Sequence, residues 1–168
     1  MYVVGIDPGA RKNIGVAIVK ADFSYAEAFV VASIEELKEV LKPIAVDVLQ
    51  AYVEQPTPVV KRVKNGKDRI IWNAPLVRAF GEIKGLLYGL DISCVTITAQ
   101  KWQRKFFGPR KGRQHNKACS LQEAKKLFPK LSKSIGRNHN IADALLIAEY
   151  GRRYILKAEV QACGKEQS

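Results

Sequence analysis

Cysteines, long apolar runs and acidic residues are all scarce in this sequence. Only three of its 168 residues are cysteines, Cys94, Cys119 and Cys163, and their spacing matches no metal-binding pattern. An odd number of widely spaced cysteines is typical of reduced thiols in a cytosolic protein. No run reaches the roughly 18 apolar residues of a membrane span, and the N-terminus lacks the charged-then-apolar pattern of a signal peptide. We therefore predict a cytoplasmic protein with no membrane contact.

The shortage of acidic residues is concentrated in the middle of the chain. Lys and Arg number 28 against 16 Asp and Glu, for a formal charge of +12. Residues 1–59 carry 5 basic and 8 acidic residues, whereas residues 60–137 carry 19 basic and 4 acidic ones, a net charge of +15. Such a basic segment usually binds a polyanion, and we predict nucleic acid. The alternative is a solvated face that keeps the protein soluble.

Two stretches of this basic segment, VVKRVKNGKDR and KWQRKFFGPRKGRQ, are candidate DNA contacts. Contacts to phosphates should dominate the affinity and make it salt-dependent. Trp72, Trp102, Phe106 and Phe107 are interleaved with the charges, where they could stack on opened bases or, alternatively, pack in the core. The candidate DNA-binding residues are Lys61, Arg62, Lys64, Lys67, Arg69, Lys101, Arg104, Lys105, Arg110, Lys111, Arg113 and Lys117.

The hydrophobic pattern predicts an α/β fold, with a mixed five-stranded sheet and helices on both faces. Strands are predicted at residues 2–7, 13–20, 25–32, 46–55 and 92–98. Helices are predicted at residues 34–45, 74–90, 99–107, 117–128 and 141–157. The first three strands should form a meander, and the fourth and fifth each follow a helix, as in βαβ units. One domain over residues 1–157 and a frayed tail over 158–168 are expected.

Three acidic residues occur where these elements would meet. Asp7 ends the first strand, Glu54 ends the fourth, and Asp143 lies in the first turn of the last helix, on a face that is otherwise apolar. If the two strands are parallel neighbours and that face packs on the sheet, the carboxylates converge. Like charges that close repel unless one is protonated or a cation lies between them. Oxygen ligands of this kind favour a divalent metal ion.

Each acid also has a simpler explanation. Asp7 could start an Asp-Pro-Gly turn, Glu54 could be a surface residue at a strand end, and Asp143 could be a first-turn acid favoured by the helix dipole. Their convergence next to a basic surface favours metal-dependent phosphodiester hydrolysis, in which metal ions activate water and stabilise the leaving oxygen.

Four motifs occur in chain order: GIDPG at residues 5–9, NIGVAI at 13–18, VEQ at 53–55 and ADALLIA at 142–148. Together they closely resemble the RuvC family of Holliday-junction resolvases. The similarity spans residues 2–157, and the ending ALLIAEYGRR looks most like the compact resolvases of phages and related mobile elements. Actin-like ATPases begin with a similar motif, but they need two domains and a second phosphate loop, for which 168 residues leave no room.

The resemblance implies an RNase H-like fold and resolution of four-way junctions in DNA recombination and repair. It also implies a homodimer in which each subunit cuts one strand, with two Mg²⁺ or Mn²⁺ ions per active site. The helix at residues 74–90, with Gly81 and Gly85 on one face, matches the family's dimer helix in position. The alternative for that helix is ordinary packing within the chain.

By this resemblance Asp7, Glu54 and Asp143 match three metal ligands of the family. The family's fourth acid is absent, because NHNIAD at residues 138–143 holds no earlier carboxylate. His139 is the first candidate for the fourth metal-binding and catalytic position, and Asn140 is the second. The alternative is that an asparagine caps the helix and His139 is a solvated loop residue. Because imidazole suits manganese better than magnesium, the metal preference stays open.

Lysines and one further histidine complete the candidates. Lys101 and Lys117 could contact the scissile phosphate and offset its charge, whereas His115 is expected to be a solvated loop residue. Two other functions remain open on the sequence: a broader nuclease acting on flaps, forks or RNA, and a nucleic-acid-binding module without catalysis.

Overall fold

The computed structural model describes residues 1–9, 13–62, 68–108 and 113–165. Within these ranges it gives the backbone, but not the side chains, of residues 59–62, 68, 113–114 and 158–165. Among the described residues, none of the helices is both long and apolar enough to cross a membrane.

Within the described ranges, seven strands form two sheets. They are β1 (Tyr2–Asp7), β2 (Ile14–Lys20), β3 (Ala26–Val31), β4 (Val48–Gln55), β5 (Val59–Arg62), β6 (Asp68–Ile71) and β7 (Cys94–Thr98). The main sheet has the order β3-β2-β1-β4-β7. The pairs β3–β2 and β2–β1 are antiparallel, and the pairs β1–β4 and β4–β7 are parallel. This confirms the predicted mixed sheet of five strands, which apolar and β-branched residues dominate.

The described part of the chain also forms six α-helices, which lie on the two faces of the main sheet. They are α1 (Ile34–Leu41), α2 (Ala74–Gly89), α3 (Ala99–Phe107), α4 (Arg113–Leu127), α5 (Ser132–Ile135) and α6 (His139–Lys165), with short 3₁₀ turns at Lys42–Asp47 and Pro129–Leu131. Ser33 caps α1, since its hydroxyl accepts from the Glu36 N–H at 3.1 Å. The Glu36 carboxylate accepts from the Ala32 N–H at 2.7 Å, which completes a capping box. Asn73 caps α2, since its side-chain oxygen accepts from the Leu76 N–H at 3.4 Å.

The boundaries of three regions differ from the prediction. No strand is predicted between residues 55 and 92, but β5 and β6 pair there as antiparallel strands. The last helix was predicted to end at residue 157, but α6 runs to Lys165, because helix-favouring residues continue until Gly164. Helix α4 begins at Arg113 rather than residue 117, so His115 is an exposed helix residue and not a loop residue.

The sheet has a separate core on each face. On one face α3, α4, α5 and α6 pack over buried residues such as Val3, Trp102 and Leu145. On the other face α1 and α2 pack over Val4 and Ile6, which alternate with Val3 along β1. Helices therefore cover both faces, as predicted.

Helix α6 lies directly on the backbone of β1 and β2. A Cβ atom added at Gly5 would overlap the carbonyl oxygen of Ala144, and one added at Gly15 would overlap the carbonyl oxygen of Asn140. Only glycine permits helix and strands to approach this closely. The contact holds the first turns of α6, which carry Asp143, close to the end of β1.

Candidate active site

Asp7 and Glu54 end two parallel neighbouring strands. β1 and β4 pair with Ile6 opposite Val53, so the next residue of each strand is acidic and lies at the same sheet edge. Since side chains alternate along a strand, Asp7 shares the α6 face with Val3 and Gly5, and Glu54 shares it with the buried Tyr52. This arrangement matches the one predicted for the two carboxylates.

Asp143 faces Asp7 from α6. Burial and then repulsion from Asp7 raise the pKa of Asp143 from 3.8 to about 7, against the lowering effects of a hydrogen bond from Ser120 and the charge of Lys117. Burial likewise raises the pKa of Asp7 from 3.8 to about 6, although a hydrogen bond from the Gly9 N–H and the charge of Lys117 lower it. The charge of Lys117 therefore offsets only part of the cost of ionising these two buried acids.

Two buried side-chain atoms near the start of α6 lack hydrogen-bond partners among the described residues, Asp143 Oδ1 and His139 Nδ1. Buried polar atoms are seldom left unpaired, because each costs about 1–3 kcal/mol. A divalent cation accepts both an oxygen and an imidazole ligand and would relieve the repulsion between Asp7 and Asp143. The unpaired atoms and the chemistry of the donors therefore fit a metal ion.

Glu54 is held by a residue that the sequence did not assign to the site. The Trp102 indole N–H donates to Glu54 Oε2 at 2.7 Å, and the Trp102 side chain is fully buried. Trp102 therefore cannot stack on bases as considered from the sequence, and core packing is the correct alternative. Within the described part of the chain, no three His, Cys, Asp or Glu side chains are arranged to hold one ion together. The structure thus brings Asp7 and Asp143 together and directs Glu54 Oε2 to Trp102.

Asn138, His139 and Asn140, which precede Asp143, have different contacts in the structure. Asn138 caps α6, since its Oδ1 accepts from the backbone N–H of Asn140 at 3.0 Å and of Ile141 at 3.3 Å. The Asn140 amide donates to the Asn13 carbonyl at 2.6 Å and so joins α6 to the β1–β2 turn. His139 is the first residue of α6 and is partly buried, so it is not a solvated loop residue. One helical turn separates it from Asp143.

Helix α4 supplies a lysine and a serine to the same place. Lys117 lowers the pKa of Asp7, Asp143 and His139, and burial is the larger cause for His139. Lys117 and His139 also line a cavity of about 470 Å³ together with Asn13 and Arg137. Ser120 was missed on the sequence, although polar residues at positions 116 and 120 mark one face of a helix.

The structure describes the side chains of only some of the predicted DNA-binding residues. Lys64, Lys67, Arg110 and Lys111 lie outside the described residues, and the side chains of Lys61, Arg62 and Arg113 are not described. The remaining five, whose side chains are exposed, are Arg69, Lys101, Arg104, Lys105 and Lys117.

The aromatic candidates also differ. Trp72 is 51% exposed and remains available for contact. Phe106 and Phe107 are partly buried against the core, which favours packing for both.

The outer face of α2 is open. A Cβ atom added at Gly81 or Gly85 would meet no described atom within 4 Å. Tyr88 is 89% exposed and Val77 is 40% exposed on the same helix. The two glycines therefore do not serve packing within the described part of the chain.

Solved structures share this fold. A Thermus thermophilus RuvC structure matches with a TM-score of 0.61 and 17% identity, covering 88% of this chain and 91% of that one. T. thermophilus RuvC in complex with a Holliday junction substrate matches with a TM-score of 0.62 and 16% identity, covering 91% and 96%. No protein-family profile and no curated protein matches the chain. The chain has a RuvC-like fold, of the RNase H-like α/β class.

Proposed function

We propose that this protein is a metal-dependent endonuclease that resolves four-way DNA junctions by paired phosphodiester hydrolysis. The observation that carries the proposal is the facing pair Asp7 and Asp143, whose pKa values are raised to about 6 and about 7. The pair lies beside a basic surface, on a fold shared with a RuvC bound to a Holliday junction substrate. Two Mg²⁺ or Mn²⁺ ions are the proposed cofactors.

Each site residue has a defined role in this proposal. Bound metal ions would supply an activated water and stabilise the leaving oxygen. Asp7, Glu54 and Asp143 would hold the ions, with His139 as the fourth ligand or as the acceptor of the water's proton. Burial and the nearby Lys117 hold the pKa of His139 below its ordinary value, so its imidazole is neutral at pH 7. Lys117 and Lys101 would bind the scissile phosphate.

The proposed active form is a homodimer that joins through the open face of α2. Gly81 and Gly85 would let the two helices approach closely, with Tyr88 at the rim. We expect Gly85→Glu to shift the protein to a monomer in sedimentation, whereas Val46→Glu, at a position that is 95% exposed, should leave the dimer unchanged. A monomeric parent protein would contradict the dimer.

One observation favours a second candidate, a binding module without catalysis. Among the described residues no three potential ligands are grouped for one ion. Such a module would bind junctions and show no metal-dependent cleavage.

The test is incubation of a labelled four-way junction with Mg²⁺, with Mn²⁺ and with chelator. We expect symmetric cuts in two strands with either metal and none with chelator. A linear duplex of the same sequence and a flap are the matched substrates, and they should be cut at least about tenfold more slowly. Binding without cleavage would support the module, and equal cutting of the flap would support a broader branched-DNA nuclease.

A further inference from the structure

Trp102 makes one polar contact, and that contact is to a carboxylate of the candidate active site. An indole has a single donor and no acceptor. Its N–H donates to Glu54 Oε2 at 2.7 Å, the short distance typical of a charge-assisted bond. The ring is fully buried and meets Phe107 edge-on, with ring centroids 6.1 Å apart. A side chain held on all sides offers Glu54 a donor in a fixed position.

The helix that carries Trp102 is itself anchored next to the second acid. Gln103 accepts a hydrogen bond from the Asn116 amide at 3.1 Å, which joins α3 to α4. One turn further along α4, Ser120 donates to the carboxylate of Asp143. Helix α3 therefore contacts Glu54 through Trp102, and α4 contacts Asp143 through Ser120.

A simpler explanation is that a buried tryptophan merely needs an acceptor. A backbone carbonyl would satisfy that need without drawing a partly buried carboxylate into the contact. The acceptor used here is instead the carboxylate at the end of β4, next to the end of β1 that carries Asp7. Because the acceptor is this carboxylate, the hydrogen bond restrains Glu54 in addition to satisfying the indole N–H.

We infer that Trp102 is a positioning residue that fixes the orientation of the Glu54 carboxylate at the sheet edge that also carries Asp7. Its effect on cleavage rests on the proposed function, but the contact itself can be tested without any activity. A positioning role requires that loss of the indole N–H slows the chemical step and leaves DNA binding intact.

The first test is magnetic resonance of the metal-free protein. The chain has two tryptophans, so isotope-labelled protein should give two indole N–H signals, and Trp72→Phe assigns them. We expect the Trp102 signal to exchange slowly with solvent, to move upfield in Glu54→Gln and to stay in place in Asp7→Asn. A signal that does not move in Glu54→Gln would overturn the inference, whether or not the protein cuts DNA.

The second test compares Trp102→Phe with Phe128→Leu, a change in the same core that has no proposed contact with DNA or with the acids, in single-turnover cleavage of a junction. The phenylalanine at position 102 keeps most of the buried volume and removes the donor. We expect a rate about 10- to 100-fold lower for Trp102→Phe, with junction affinity within about threefold of the parent, and a rate within about threefold for folded Phe128→Leu. An unchanged rate in folded Trp102→Phe would overturn the role. If Trp102→Phe does not fold, the shift of the Trp102 indole signal in Glu54→Gln tests the inference instead. A parent protein that never cuts junctions would refute the proposed function and not the Trp102–Glu54 contact.

Discussion

The two faces of the sheet are built for different purposes. Under α1 and α2 the buried residues are apolar, among them Ile6 and Val53. On the α6 face the next residue of each strand is acidic, Asp7 and Glu54. The pleat alone separates the two sets, because successive side chains of a strand point to opposite faces. Stability and chemistry can therefore be changed independently by substituting neighbouring residues.

The largest expected effect comes from removing an acid on the α6 face. Asp7→Asn or Asp143→Asn should lower cleavage at least about 1000-fold and leave junction binding and the fold intact, because the change removes charge and little volume. Leu87→Ala on the opposite face should instead cost about 2–5 kcal/mol of stability while cleavage per folded molecule stays nearly the same.

Cleavage rates with saturating metal and thermal unfolding of the three variants check this contrast. Activity of Asp7→Asn within about tenfold of the parent, worth only ~1.4 kcal/mol in the barrier, would exclude its metal-binding role.

Salt should act on the basic surface outside the two cores. If about 6 phosphates are contacted, the logarithm of the junction affinity should fall with the logarithm of salt concentration with a slope near −5, or about 1000-fold between 50 and 200 mM. Lys105→Ala, which removes an exposed charge of α3, should reduce the slope by about 1. Titrations at several salt concentrations measure it, and a slope near zero would rule out phosphate-dominated binding.

His139 tests whether the α6 face uses a fourth group. His139→Ala should reduce cleavage about 100-fold, since the imidazole would ligate metal or accept a proton. The pKa of His139 lies below its ordinary value of 6.5. Activity should therefore be lost through protonation of His139 only at pH values below 6.5. His139→Asp should restore activity and shift preference towards magnesium.

Asn140→Ala is the matched control for His139, because it removes only the hydrogen bond to the Asn13 carbonyl. Cleavage rates of both alanine variants at saturating metal decide between them. Full activity of His139→Ala together with loss in Asn140→Ala would assign the fourth position to Asn140.

The smallest expected effect is the pH dependence of stability without metal. A carboxyl whose pKa is raised on folding stabilises the fold below its unfolded pKa, and this contribution is lost as pH rises through the folded pKa. For Asp7 and Asp143 the loss runs from near 3.8 up to about 6 and about 7. Between pH 5 and 8 the Tm of the metal-free parent should therefore fall relative to Asp143→Asn, by roughly 3 °C or more.

Adding Mn²⁺ at pH 8 should reverse this loss in the parent and not in Asp143→Asn. If Tm in chelator changes with pH in the same way for the parent and for Asp143→Asn, the pKa of Asp143 is not raised by folding, and this prediction is wrong.

Much of the fold could be read from the sequence because it depends on local patterns. Short apolar runs bounded by turn residues predicted the strands of the main sheet, and Ser33 and Asn73 marked two helix starts. The hairpin of β5 and β6 was missed although Asn65-Gly66 is a strong turn signal, since basic residues obscured the alternation.

The site was only partly predictable for the same reason. Asp7, Glu54 and Asp143 occur at element ends that topology brings to one face, and this can be inferred from the order of elements. The bond from Trp102 to Glu54 joins residues 48 positions apart, and no local pattern encodes it. The contact of Ser120 with Asp143 depends on which face of α4 packs against α6, and this is determined by tertiary packing and not by a local sequence pattern.

The most direct test of the account is the anomalous diffraction signal of crystals grown with Mn²⁺. The account predicts a peak between the carboxylates of Asp7 and Asp143, on the α6 face of the sheet, and its disappearance in crystals of Asp143→Asn. A parent crystal with Mn²⁺ at saturating concentration and no peak at that pair, or a peak that persists in Asp143→Asn, would contradict it.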